Sequence, residues 1–184
     1  MAKYLLAVIC VGAMAIFALP VRAADDVVSA VHGTVTKVDS GTKTIVLKTK
    51  DGTEQSIHYV DKTAVHGADA TAAGAKDSYK GIKEGSEVVV HYTVKGTEKT
   101  GVEIDRVGKD GVKTVDGTVE KVGEGGKTIV VKAADGTEHT FRVVGHDTVV
   151  SAEEIGKGTD KGAKVTVYYT ESAGKKVAHF FEKI

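Results

Sequence analysis

The sequence predicts an all-β protein with a short helix per repeat, built as two tandem five-stranded barrels. Three observations predict it. β-Branched residues alternate with polar ones in short runs, the period-2 signature of half-buried strands. Glycine-containing turns separate these runs. Among them Asp51-Gly52 and Asp135-Gly136 are strong hairpin signals, because glycine takes positive φ without steric cost. Finally, the whole pattern occurs twice. Gly33-Thr34-Val35 recurs as Gly117-Thr118-Val119, Lys43-Thr44-Ile45-Val46 as Lys127-Thr128-Ile129-Val130, and Asp51-Gly52-Thr53-Glu54 as Asp135-Gly136-Thr137-Glu138, all at an offset of 84. Two copies of a unit this long indicate a duplicated domain, since solenoid repeats are shorter and need more copies.

The first copy is expected to place strands at 31–38, 43–50, 53–60, 86–94 and 100–107. The second places them at 115–122, 127–133, 137–144, 163–170 and 176–183. Gly85 to Tyr92 aligns with Gly162 to Tyr169 at an offset of 77, so the first copy is longer by seven residues between its third and fourth strands. That alignment also assigns faces. Val88, Val90 and Tyr92 match Val165, Val167 and Tyr169 and are expected to face the core. Val89, His91 and Thr93 match Thr166, Tyr168 and Thr170 and are expected to face outward.

Each copy interrupts its strands once. Ser151-Ala152-Glu153-Glu154 reads as a capping box opening a helix, and Ala68 to Lys76 as the shorter-lived equivalent in copy one, broken by Gly74. Three strands, a helix and two strands is the order of the oligonucleotide/oligosaccharide-binding (OB) barrel. Residues 24–108 form the first OB-like barrel, 109–113 a polar linker and 114–184 the second. Closure removes the free edges that would make valine-rich sheets aggregate. With its Gly-Thr-Val, Lys-Thr-Ile-Val and Asp-Gly-Thr motifs, and the Thr-containing segments Lys62 to Val65 and Asp147 to Val150, the chain resembles a family of exported bacterial OB-like domains of unknown function. The resemblance spans nearly everything after the leader. It implies fold and location, and brings no catalytic residues.

Residues 1–23 read as a secretory signal peptide: Lys3, an apolar run from Leu5 to Leu19, then Val21 and Ala23 as the small residues before a cut at Ala24. The leader contains the chain's one Cys and both Met, so no disulfide or thiol chemistry is expected after cleavage. The whole chain carries 25 basic and 25 acidic residues; losing Lys3 and Arg22 leaves a formal net of −2. No field draws this protein onto nucleic acid or an anionic membrane. An extracytoplasmic protein, periplasmic or secreted, with no membrane span after cleavage is expected.

No motif commits the chain to a reaction. None of the serines sits in a Gly-x-Ser-x-Gly elbow, and Gly123-Glu124-Gly125-Gly126 lies between strands, where it reads as a turn and not a phosphate loop. The expected function is therefore a non-enzymatic binding or scaffold module, without a cofactor, that contacts a protein, peptide or glycan. The candidate contact residues are His66, Tyr79 and Tyr168, because binding is expected where the copies differ and the stretch from His66 to Lys80 differs most. The competing expectation for that stretch is a plug over one barrel end. The alternative function is a periplasmic metal-binding protein using histidine and carboxylate ligands, with His58 or His66 as ligands. A site repeated in both copies does not explain the histidines, since His58 matches Arg142, His91 matches Tyr168 and His139 matches Gln55. No Met, Cys or Trp follows the leader to hold a soft cuprous ion.

Overall fold

The computed structural model describes residues 28–67, 77–108, 110–143 and 160–184. In chain order the first copy forms β1 (Val28–Asp39), β2 (Thr44–Lys48), β3 (Glu54–His66), β4 (Ser78–Tyr79), β5 (Ile82–Lys83), β6 (Glu87–Lys95) and β7 (Glu98–Arg106). The second forms β8 (Lys113–Val122), β9 (Thr128–Ala133), β10 (Glu138–Arg142), β11 (Lys164–Ser172) and β12 (Lys175–Lys183). Two closed barrels result, with strand orders β1-β2-β3-β7-β6 and β8-β9-β10-β12-β11. This is the expected tandem of five-stranded OB-like barrels.

Closure depends on a long, bent first strand. β1 pairs with β6 through Val28 to Thr34 and with β2 through Thr34 to Asp39, and its register shifts between Val35 and Lys37. The bulge bends the strand so that it serves both neighbours. β8 repeats the device between Val119 and Lys121. Parallel pairing closes each cylinder, β3 with β7 and β10 with β12. β3 runs on to His66, past the expected end at 60, because Ala64 to His66 continue that parallel ladder against Glu103 to Asp105. Inside, Val35, Ile45, Leu47, Ile57, Val88, Val90 and Ile104 fill the first barrel. Val119, Ile129, Val131, Phe141, Val165, Val167 and Phe181 fill the second. The inward parity assigned to β6 and β11 is correct.

The expectation of a short helix per repeat is overturned. Among the described residues there is no α-helix, and the helical content is one 3-10 turn, Glu124–Gly126. The stretches on which the helices were placed, 68–76 and 151–156, lie outside the described residues, as does the leader. The described end of the copy-one insertion is a hairpin instead. Ser78 pairs with Lys83 and Tyr79 with Ile82 around Lys80-Gly81, both at positive φ, the two-residue turn whose twist matches the strands it joins. Tyr79 is buried rather than exposed. Its ring stacks on Tyr59 with centroids 3.8 Å apart, and its hydroxyl donates to the Val60 carbonyl at 2.8 Å. Tyr79 and Ile82 thus belong to the first core.

The barrels pack against each other. Val89, Val112 and Tyr168 are buried together, with Ala30, Val107 and Phe180 against them. The outward assignment of Val89, His91 and Tyr168 is right with respect to their own barrels but wrong about water: each is at most 3 % exposed. The connecting segment takes part. Val107 bridges to Val112, which is wholly buried, and Gly111 passes so close to Arg106 that a Cβ there would meet the Arg106 carbonyl oxygen.

Candidate metal centre

The site lies on the outer face of the first barrel where the second covers it. β3, β7 and β6 run side by side there. His66 is in register with Asp105 across β3 and β7, while His91 is opposite Glu103 and Val89 opposite Asp105 across β7 and β6. Alternation along each strand sends the core residues Val90 and Ile104 inward and His91 and Asp105 outward. The second barrel supplies His179. Tyr168 pairs with Phe180 but Tyr169 pairs with Ala178, so His179 is the extra residue of a bulge in β12. A bulge re-aims a side chain, and this one delivers an imidazole to the neighbouring barrel.

Asp105 is the centre of the arrangement and is fully buried. Its Oδ2 lies 3.1 Å from His179 Nδ1 and 3.5 Å from His91 Nε2; its Oδ1 lies 3.1 Å from His66 Nδ1. Burial pushes this carboxyl up, but the hydrogen bond from His179 and the nearby imidazole of His91 outweigh it and hold the group well below the usual carboxylate range. Glu103 goes the other way: burial and then the neighbouring Asp105 charge raise it. Its Oε1 lies 2.8 Å from His66 Nδ1.

At this centre two buried groups have ring or carboxylate atoms without a hydrogen bond. Both ring nitrogens of His91 are orphaned, although the residue is 1 % exposed, and so is Glu103 Oε1. An unsatisfied buried polar group costs about 1–3 kcal/mol, so a ring held in this way needs a reason. His179 is poised differently, with Nδ1 toward Asp105 and Nε2 2.9 Å from Thr170 Oγ1. The threonine hydroxyl can donate to Nε2 or accept from it. Were Nδ1 to hold a cation, Nε2 would carry the proton and donate it to Thr170, the outer partner that metal-ligating histidines ordinarily have.

Two sets of ligand atoms converge here, His91, Asp105 and His179 in one and His66, Glu103 and Asp105 in the other, each within 4.8 Å of one another. Ligands on a tetrahedral cation with bonds of about 2.0–2.1 Å stand roughly 3.3 Å apart. The separations from Asp105 bracket that value.

Of the residues singled out from sequence, His66 is in the second set. His58 faces Thr44 and Thr100 in its strand pairings and joins neither set. Tyr79 is a core residue. Tyr168 is buried at the junction, its hydroxyl donating to Glu182 Oε2 at 3.0 Å while His32 tilts against its ring. Sequence reasoning missed His91, Glu103, Asp105 and His179. The signal was present at the aligned positions: His91 and Asp105 correspond to Tyr168 and Glu182, and His179 to Val102. One copy carries a hydrogen-bonded Tyr-Glu pair where the other carries a His-Asp pair.

The sequence matches no protein-family profile and no curated protein. Among solved structures the chain is similar to silver(I)-bound CusF, at 15% identity and a TM-score of 0.33, over 43% of this chain and 96% of that one. A second structure, residues 10–88 of silver(I)-bound CusF from Escherichia coli, gives 15% identity and a TM-score of 0.34, over 44% and 92%.

Proposed function

We propose that this is a non-enzymatic, extracytoplasmic metal-binding protein that holds one divalent cation between its barrels on His91, Asp105 and His179. The observation that carries the reading is His91: a buried imidazole with no hydrogen bond, beside a buried ionised carboxylate and a histidine whose far nitrogen is already anchored. Two imidazoles and one carboxylate suit Zn(II) or Cu(II), and nothing soft stands among them to favour Cu(I). The extracytoplasmic part rests on the leader at 1–23. No helix among the described residues is long and apolar enough to cross a membrane.

Metal binding is favoured over contact with a protein, peptide or glycan because two of the three residues offered for such contact, Tyr79 and Tyr168, are buried in packing. The test is thermal unfolding of chelator-stripped protein with and without Zn(II) or Cu(II), since a ligand of the native state raises the melting point by mass action. A melting point indifferent to both ions at millimolar excess refutes the proposal.

A further inference from the structure

We infer that Asp105 bridges two cations, the first on its Oδ2 with His91 and His179 and the second on its Oδ1 with His66 and Glu103. The inference rests on the metal-binding reading above and extends it from one ion to a pair. The two carboxylate oxygens face different ligand sets. Oδ2 meets imidazoles from β6 and β12, while Oδ1 meets His66 from the end of β3. Each oxygen of this wholly buried carboxylate already has its own imidazole neighbour, His179 on Oδ2 and His66 on Oδ1, so the two oxygens stand in separate ligand sets.

Glu103 is the independent observation. His66 Nδ1 lies 3.1 Å from Asp105 Oδ1, its hydrogen-bond partner. Glu103 Oε1 lies nearer, at 2.8 Å, yet makes no hydrogen bond and is buried. One imidazole nitrogen set between two carboxylates in this way is placed as the ligands of one cation are. Glu103 and Asp105 also repel each other across this point, and a cation between them reverses the sign of that interaction.

The two positions differ in access. The side chains of the inner set are at most 7 % exposed, whereas the His66 side chain is 57 % exposed. The outer ion therefore keeps water in its open positions and exchanges readily. It binds second and more weakly, since the inner ion has already drawn on the Asp105 charge. The competing occupant of the outer position is a proton on His66, which would pair with both carboxylates.

Stoichiometry separates the two. Chelator-stripped full-length protein is titrated with Zn(II) by calorimetry with elemental analysis, and with Co(II) by electron paramagnetic resonance. Two ions per chain are expected, with the Co(II) signal of the first losing intensity as the second couples to it through the carboxylate. His66→Ala, at an exposed position where folding is not at risk, should bind one ion and keep an uncoupled signal. Asp105→Asn should bind neither, with circular dichroism confirming its fold. One ion in both native and His66→Ala protein, or two in both, overturns the bridged pair. One ion lost on His179→Ala leaves the inner site standing, whereas no ion in the native protein removes both.

Discussion

Replacing His91 by phenylalanine should leave the metal-free protein about as stable as before, while removing the inner ion's share of its response to zinc. The phenyl ring is somewhat larger than the imidazole, so the substitution opens no cavity but its neighbours must accommodate the added volume. It removes a buried imidazole whose two nitrogens lack hydrogen bonds, a deficit of about 1–3 kcal/mol. Against this, Asp105 loses a neighbour that helps keep it ionised. That contact is 3.5 Å long, worth about 1 kcal/mol at most, and His179 and His66 remain at 3.1 Å. The net effect on the metal-free protein lies within about 1 kcal/mol of zero. With zinc at 100 times the inner site's Kd the native protein gains about 2.7 kcal/mol from that ion, a gain the variant lacks. At roughly 2–4 °C per kcal/mol for a chain of this size, the inner ion should raise the native melting point by about 5–11 °C, and that part of the zinc shift should be missing from the variant. Calorimetric melts at pH 7.5, in chelator and in zinc, read both numbers. A variant destabilised by more than about 1 kcal/mol without metal would mean that His91 is satisfied in the native fold. A variant that keeps the whole zinc shift would mean that the inner cation binds elsewhere.

Thr170→Val should weaken zinc binding by about 10–100-fold, in addition to lowering the metal-free melting point by a few degrees, because it removes the hydroxyl that orients His179; calorimetric titration checks it, and an unchanged affinity counts against Thr170 as the outer partner. Gly111→Ala should destabilise the protein and loosen the junction, because its Cβ would stand 1.8 Å from the Arg106 carbonyl oxygen; the readout is a chemical-denaturation midpoint, and a midpoint equal to the native one refutes the close approach. The Thr42 amide and then the Lys37 ammonium hold the exposed Asp39 carboxyl down at about 2. Its folded pKa lies below the ordinary 3.8, so its contribution is present above pH 4 and lost as the pH falls toward 2. Asp39→Asn should flatten the acid side of the stability profile in that window, and a carboxyl titrating near 4 by NMR contradicts the assignment.

Both barrels are legible in the sequence because their determinants are local or repeated. Alternation picks the inward set Val88, Val90 and Tyr92, Asp-Gly marks the hairpins, and the offset of the repeats counts the domains. In copy one the described end of the insertion is a hairpin, because Lys80 and Gly81 both take positive φ and close a two-residue turn, and no α-helix occurs among the described residues. His66 was legible as a candidate ligand because it lies where the copies differ. His91 was set aside because its counterpart is Tyr168, yet a duplication free to diverge can place ligands in one copy alone.

What the sequence by itself determines is each barrel, since strand period, turn chemistry and repetition act over a few residues. Only the tertiary structure assembles the candidate metal centre. His91 and Asp105 come from neighbouring strands of one barrel, and His179 is 74 residues from Asp105 on a bulge of the other. Strand alternation tells which side chains turn away from their own core. It carries no information about what that outer face meets, and here it meets a second barrel that excludes water and turns surface histidines into buried, converging ligands.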